Sequence, residues 1–240
     1  KKYRGGGTWK SEVNRAVPPN PWEKHPDLPE LRRLATTLSR ISRYEFALGN
    51  RIAILKSGDE AMPAMIGAIR AARRTLTLRS YIFEANGIGA EFVDELAAAK
   101  ARGVLVRVLV DGAGTRYSRP SIVRVLGGRG VTVARFMPSR FIVRLLSLNL
   151  RNHRKILVAD GSVGFTGGMN IRPGNMLKEN PASPVRDMHF RVEGPIVRQL
   201  QRAFAEDWAF CTGEVLQGEE WYPEVQPAGD TAAIGIPDGP

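Results

Sequence analysis

A histidine and a lysine lie at the start of a short hydrophobic segment, which reads NHRKILVADGSVGFTGGMN from residue 152 to residue 170. His153 and Lys155 are two positions apart, and side chains two apart on a strand point to the same face. An imidazole can serve as a nucleophile or as a proton donor near neutral pH, and an ammonium group can hold an anionic oxygen. The pair therefore indicates chemistry on a phosphate.

A tight turn is expected in the middle of this segment. The dipeptide Asp160-Gly161 lies between the apolar runs KILVA and SVGFT, which predicts a β-hairpin. The returning strand would bring Gly167, Gly168 and Asn170 back towards the imidazole. Glycines let the backbone approach a ligand closely, and the asparagine amide is a hydrogen-bond donor. We expect a small concave site for a phosphate.

Strand-like and helix-like segments alternate over most of the chain. Segments rich in Val, Ile and Leu predict strands at 51–56, 75–83, 104–110, 131–136, 155–159, 163–166 and 188–192. Helical periodicity predicts helices at 60–74, 88–102, 121–126 and 195–209, and one more within 31–46. This alternation predicts an α/β fold, with a mixed, mostly parallel β-sheet flanked by α-helices on both faces.

The composition divides the chain into three parts. Residues 1–48 are interpreted as an N-terminal arm and helix, and residues 49–213 as one α/β lobe. Residues 214–240 form an acidic linker that ends in the apolar run AAIGI. That run is typical of a strand that begins without a partner, so we expect it to start a second lobe.

The charge distribution points to an anionic partner. The chain has a net charge of +11, and residues 112–159 contain ten Lys or Arg residues and no acid. Such a localised positive field favours phosphate, nucleic acid or an acidic lipid surface. With one cysteine and three histidines, the sequence predicts no structural zinc site. No run approaches the ~20 apolar residues needed to cross a bilayer.

A basic amphipathic helix is predicted at 139–151, directly before the histidine. Arg140, Arg144 and Arg151 fall on one face of that helix, and Phe, Ile and Leu side chains cover the other. The helix could be an ordinary surface helix with its apolar face in the core. Alternatively it lies in a membrane interface, with the three arginines towards acidic headgroups.

The segment also resembles a known family. Six residues match, position for position, the HxKx4Dx6GGxN motif of the phospholipase D superfamily, namely His153, Lys155, Asp160, Gly167, Gly168 and Asn170. The flanking sequences LNLRNHRKILVADGSVGFTGGMNI and VRDMHFRVEGPIV resemble bacterial cardiolipin synthases, over residues 49–210. Tyr81 and Phe83 resemble an element that lines the site in this family, although both also fit as core aromatics. The resemblance implies a phospholipase D-like lobe that needs no cofactor and no metal.

The resemblance implies a role for each site residue. In this family one histidine attacks phosphorus and another protonates the leaving alcohol, so His153 is expected to be catalytic through a phosphohistidine. Lys155 and Asn170, with the two motif glycines, are expected to bind the non-bridging phosphate oxygens. Asp187 matches a carboxylate that orients the histidine. Asp160 belongs to the catalytic motif, but we expect it to anchor the turn.

The sequence contains one copy of a motif that the family uses in pairs. His189 does not begin a second copy, because Ile196 stands where the motif requires an aspartate. We place His189 on a strand near the site, where a merely structural role is expected. The second half of the site is therefore expected from another phospholipase D lobe in a longer protein. An identical chain in a two-fold dimer is the alternative.

These inferences favour an enzyme of the cardiolipin synthase type, which transfers a phosphatidyl group between phosphatidylglycerol-type lipids. Its expected partners are anionic phospholipids and a membrane surface, at the cytoplasmic face of a bacterial inner membrane. Hydrolysis is the same chemistry with water as the acceptor, and it stays open. The alternatives are a nuclease that acts as a two-fold dimer, with nucleic acid the less expected partner, and a non-catalytic membrane-binding lobe.

Overall fold

The computed structural model describes residues 29–42, 44–112, 114, 120–136 and 153–236. The described helices are α1 (Pro29–Ile41), α2 (Gly58–Ala71), α3 (Ile88–Ala101), α4 (Ile122–Gly128) and α5 (Val197–Thr212). The described strands are β1 (Ala47–Leu55), β2 (Thr75–Ser80), β3 (Leu105–Asp111), β4 (Thr132–Phe136), β5 (Ile156–Ala159), β6 (Val163–Gly167), β7 (His189–Glu193) and β8 (Thr231–Ala233). The strands and helices predicted within the described residues are thus confirmed, with ends that differ by a few residues.

The eight described strands form one mixed sheet, in the order β4-β3-β2-β5-β6-β7-β1-β8. Only the β2–β3 and β3–β4 pairs are parallel, and the other described pairs are antiparallel. The expectation of a mixed sheet is confirmed, but the expectation of a mostly parallel one is wrong. Helices α3 and α4 connect the parallel strands, whereas β5, β6 and β7 follow one another through turns and loops that reverse the chain.

Helices cover both faces of the sheet, as expected. On one face, α2, α3 and α4 bury side chains such as Met62, Phe92 and Leu126 against β2, β3 and β5. On the other face, α5 buries Val197, Phe204 and Trp208 against the sheet. Because both faces are covered, the apolar side chains of the central strands are removed from water on either side.

The central strand β2 is buried along its whole length although four of its six residues are polar. Each polar side chain has a partner, and Thr75 Oγ1 donates to the Glu220 carbonyl (3.3 Å). Thr77 Oγ1 donates to Gln201 Oε1 on α5 (2.9 Å), and Ser80 Oγ donates to the Ile82 carbonyl (2.6 Å). Arg79 forms an ion pair with Asp207 on α5. Buried polar groups need such partners, so β2 and α5 are fixed to each other.

The C-terminal segment packs against this lobe as far as it is described. Leu216 and Trp221 are buried beside α5, and β8 pairs with β1 at the sheet edge. Asn50, which is fully buried, donates through Nδ2 to the carbonyls of Ala47 (2.7 Å) and Thr231 (2.9 Å). The expectation that the apolar run 232–236 lacks a strand partner here is therefore wrong, because β1 supplies one. The assignment of residues 214–240 to the start of a second lobe stays a prediction.

Candidate active site

The predicted hairpin is confirmed. Strands β5 and β6 pair in antiparallel register, with Ile156 opposite Thr166 and Ala159 opposite Val163. The turn between them has positive φ angles at Asp160 (+50°) and Gly161 (+63°), and the Ser162 N–H donates to the Ala159 carbonyl (3.0 Å). Two consecutive positive φ angles match the type I′ turn that suits the twist of a hairpin.

Three side chains meet at the open end of this hairpin. His153 is exposed and lies just before β5, and its ring is 4.5 Å from the ring of Tyr81, centroid to centroid. Lys155 Nζ donates to the His153 carbonyl (2.6 Å) and lies 5.6 Å from the centroid of the Tyr81 ring. The imidazole and the ammonium group are thus on the same side of the sheet and open to solvent, next to the end of β2.

Asn170 reaches the same place from the other strand of the hairpin. Its Oδ1 accepts a hydrogen bond from the Ile82 N–H (3.0 Å), one residue after Tyr81. The adjacent Ile171 forms a parallel bridge with Phe83, which holds this segment alongside the end of β2. Because Oδ1 is occupied by a backbone donor, the Nδ2 amino group is left as the donor that a ligand can use.

The two motif glycines have a steric role. A Cβ at Gly167, where φ is +151°, would lie 2.5 Å from the Met188 carbonyl oxygen and 2.8 Å from His189 Nδ1. A Cβ at Gly168 would lie 2.2 Å from Asp187 Oδ2. The Gly168 N–H donates to the Met188 carbonyl (3.1 Å), and the expected phosphate contact at the two glycines stays a prediction. Both glycines make room for the segment that begins β7.

Asp187 is brought to the site, but not to His153. Its Oδ1 accepts the Met188 N–H (2.8 Å), and its carboxylate lies against Gly168. No hydrogen bond joins Asp187 to His153 in the described part of the chain. Burial lowers the pKa of His189, and the negative charge of Asp187 opposes that shift. The proposed orienting contact between Asp187 and His153 stays a prediction.

The fold and the motif geometry agree with the comparisons to known proteins. A family model described as "Cardiolipin synthase, PLD-like domain" matches residues 65–208. The chain belongs to this family. The predicted resemblance is thus confirmed, and so is the phospholipase D-like fold.

Curated relatives of this phospholipase D-like domain are longer than the chain. Cardiolipin synthase of Geobacillus thermodenitrificans is 34% identical over 199 residues, which cover 83% of this chain and 40% of that protein. Cardiolipin synthase A of Pseudomonas fluorescens is 33% identical over 178 residues, which cover 74% and 37% of the two chains. The chain therefore spans less than half the length of these relatives.

Among solved structures, the phospholipase D family member Nuc from Salmonella typhimurium is similar in fold. The two structures superpose with a TM-score of 0.52 at 18% sequence identity, over 68% of this chain and 96% of Nuc. At this identity the likeness supports the fold alone.

Asp160 lies at the opposite end of β5 from the other polar motif residues of this phospholipase D-like domain. His153 and Asp160 are seven positions apart in mostly extended chain, which spans roughly 20 Å. Its carboxylate accepts the N–H groups of Arg73 (2.9 Å), Arg74 (2.7 Å) and Thr75 (3.0 Å). It therefore anchors the hairpin turn to the connection between α2 and β2, and it does not contact the site.

Replacing Asp160 with Asn is expected to lower the free energy of unfolding by about 2–3 kcal/mol, because charge-assisted hydrogen bonds from three backbone donors are weakened. Asn tolerates the φ of +50° at this position, so the change isolates the carboxylate. Urea unfolding monitored by circular dichroism measures the loss. The kcat of the folded variant should stay within about two-fold of wild type. A large fall in kcat at unchanged stability would show that Asp160 takes part in catalysis.

His189, which the sequence placed near the site without a role, is buried directly beside it. Its side chain is 1% exposed, and neither ring nitrogen has a hydrogen-bond partner among the described residues. Burial lowers the pKa of His189 to about 4, with Asp187 opposing the shift and Lys155 adding to it. The imidazole is therefore neutral at pH 7.

An ion-pair cluster on the other face of the sheet positions the motif. Arg154 points away from His153 and Lys155, and its guanidinium pairs with Asp207 on α5 (3.0 Å). The same carboxylate pairs with Arg79 of β2, whose side chain is 2% exposed and whose guanidinium lies 4.6 Å from the centroid of the Phe136 ring. The sequence reading missed this cluster, although an arginine inside a buried strand was a signal that an acidic partner was needed.

A cavity of about 540 Å³ opens next to the motif. His153 and Lys155 line part of it, and most of its other wall residues are apolar, including Phe190, Val192 and Leu200. Phe190, Val192 and Leu200 pack on the α5 face of the sheet, so this apolar space meets the motif at the start of β5.

Two further predictions concern membranes and metals. The predicted basic helix, with Arg140, Arg144 and Arg151, lies outside the described residues. Within residues 29–42, 44–112, 114, 120–136 and 153–236, no helix has the length and apolar character needed to cross a membrane. In the same part of the chain, no three His, Cys, Asp or Glu side chains lie together as a metal site would require.

Proposed function

We propose that this chain supplies one half of the active site of a phosphatidyltransferase, which makes cardiolipin from phosphatidylglycerol-type lipids through a phosphohistidine. The observation that carries the proposal is the meeting of His153, Lys155 and Asn170 around Tyr81 and Ile82. The family match and the cardiolipin synthase relatives support the lipid substrate.

In the proposed reaction, an imidazole nitrogen attacks the phosphorus of one phosphatidylglycerol. The bond between phosphorus and the glycerol headgroup breaks, and the leaving oxygen takes a proton from the second histidine of the completed site. The hydroxyl of another phosphatidylglycerol then attacks the phosphohistidine and returns its proton to that second histidine. The balance is two phosphatidylglycerols converted to one cardiolipin and one glycerol. His153 is one of the two imidazoles.

Lys155 and Asn170 are proposed to bind the non-bridging phosphoryl oxygens. Charge builds up on these oxygens during transfer, and an ammonium and an amide donor that are already in place stabilise it. The described donors fit this role, because Lys155 is anchored by the His153 carbonyl and Asn170 by the Ile82 N–H. Gly167 and Gly168 are proposed to line the phosphate site with backbone that a ligand can approach closely.

The other half of the site is proposed to come from a second phospholipase D lobe in a longer protein, or from an identical chain. The lengths of the cardiolipin synthase relatives favour the first arrangement. We also propose that Arg140, Arg144 and Arg151 contact acidic headgroups and that the apolar cavity beside Lys155 faces lipid. These features support association with the cytoplasmic face of a bacterial inner membrane.

Incubating the full-length protein with vesicles of headgroup-labelled phosphatidylglycerol tests the proposal. The expected products are cardiolipin and free labelled glycerol in a one-to-one ratio. Accumulation of phosphatidic acid in place of cardiolipin would show hydrolysis, and so contradict transfer. Cleavage of duplex DNA with no lipid product would establish the nuclease alternative. Vesicle binding without any product would indicate a non-catalytic lobe.

A further inference from the structure

His189 occupies a particular place in the row of residues that crosses the sheet at the site. His189 on β7 is paired with Gly167 on β6. Continuing the β5–β6 pairing by one residue beyond Ile156 and Thr166 places Lys155 opposite the same glycine. Neighbouring strands are about 4.8 Å apart, so the Cα atoms of Lys155 and His189 are roughly 10 Å apart. The imidazole leans over Gly167, since a Cβ there would lie 2.8 Å from His189 Nδ1. Because Gly167 has no side chain, the imidazole and the lysine lie on either side of one gap.

Packing alone does not explain a histidine at this position. The side chain is buried, and both ring nitrogens are without partners in the described part of the chain. Burying an unpaired polar group is unfavourable, whereas an apolar side chain of similar size could fill the same space without that penalty. The fold gains nothing from these nitrogens, and this points to a use for them in the site.

The two charged groups that act on His189 have complementary hydrogen-bonding needs. Asp187 carries a carboxylate, which only accepts, and Lys155 carries an ammonium group, which only donates. A neutral imidazole has one N–H donor and one bare nitrogen acceptor, so it can satisfy one group of each kind. The lysine has three donors. This number allows the ammonium group to donate to an imidazole nitrogen as well as to the His153 carbonyl and a phosphoryl oxygen.

We propose that His189 is a positioning residue of the phosphoryl site, which accepts a hydrogen bond from Lys155 and donates one to Asp187 when the phosphoryl group is bound. This inference rests on the proposed function. The imidazole holds the ammonium group where negative charge develops on the transferred phosphoryl group, and it holds the carboxylate in place over Gly168. Its effect is largest in the transition state, where that charge is greatest.

Three variants of the full-length protein test this role. His189→Phe removes both nitrogens but fills the space, and it is expected to keep or raise the melting temperature. We expect it to lower kcat for cardiolipin formation by about 10- to 50-fold, with KM for phosphatidylglycerol within about two-fold. His189→Asn and His189→Gln each retain a neutral donor and acceptor, and the better of the two should recover at least about a third of the wild-type kcat.

Arg191→Gln is the matched control, because Arg191 lies on the same strand and the same face but pairs with Glu193 (2.8 Å) away from the motif. It should leave kcat and KM unchanged. Wild-type kcat in His189→Phe would overturn the inference. A parallel loss of stability and activity in all three variants would also overturn it, because that is the behaviour of a structural residue.

Orthovanadate binding, measured by calorimetry on the same variants, separates this inference from the proposed function. We expect His189→Phe to bind vanadate about tenfold more weakly than wild type. If wild type binds vanadate and His189→Phe shows this loss, yet no cardiolipin forms, the lipid function fails and the positioning role stands. If cardiolipin forms normally in His189→Phe, the positioning role fails alone. If wild type shows neither turnover nor vanadate binding, both are wrong.

Discussion

Replacing His153 with Ala is expected to reduce the rate of phosphatidyl transfer by at least ~10⁴-fold, while the protein stays folded. Loss of the nucleophile or of the general acid removes a step that the rest of the site cannot supply, and each tenfold loss corresponds to about 1.4 kcal/mol of transition-state stabilisation. Stability should change by less than about 1 kcal/mol, because the side chain is exposed and its described ring contact is with Tyr81. Product formation from labelled phosphatidylglycerol and urea unfolding measure the two quantities.

A second readout ties this loss to covalent chemistry. Rapid quenching of wild type with labelled phospholipid should trap a lipid-protein adduct that is labile to acid and stable to alkali, as expected of a phosphoramidate. If His153 is the nucleophile, His153→Ala should show no adduct, and if it is the general acid, the adduct should form but not turn over at a normal rate. His25→Ala is the control histidine and should behave as wild type. Full turnover in His153→Ala would remove His153 from the mechanism.

The parts of this site that the sequence predicted correctly are those set by local chain geometry. The turn at Asp160-Gly161 fixes the β5–β6 register, and that register alone brings Asn170 back to the end of the hairpin where His153 and Lys155 lie. Strand alternation likewise puts His153 and Lys155 on the same face. Such relations extend over fewer than twenty residues, so periodicity and turn chemistry suffice to predict them.

The parts that were wrong or missed depend on contacts between distant segments. The antiparallel placement of β1 beside β7, and of β8 beside β1, joins residues far apart in the chain, and no local pattern specifies such pairings. The sequence likewise did not show that Asp187 would approach Gly168 so closely. His189 was given no role for the same reason, since its position over Gly167 follows only from the pairing of β6 with β7.

The ion-pair cluster at Asp207 gives the second large effect, which is on stability. Asp207→Asn removes the carboxylate that pairs with Arg79 and Arg154 in a site that is nearly closed to water. Removing one partner of a buried ion pair typically costs about 3–5 kcal/mol, because the remaining charge stays desolvated. We expect a loss of that size in the free energy of unfolding, measured in urea.

The exposed ion pair between Arg129 and Asp94 (3.0 Å) provides the matched control, because both side chains are more than half exposed. Asp94→Asn should lower stability by less than about 0.5 kcal/mol, since water already screens that pair.

Asp207→Asn should also lower kcat, by about 10- to 100-fold at temperatures where the variant is folded. Arg154 then no longer holds residues 153–155 against α5, and a shift of about 1 Å in the imidazole is enough to slow transfer. Equal stability losses in the two variants would show that the cluster on α5 does not fix the motif.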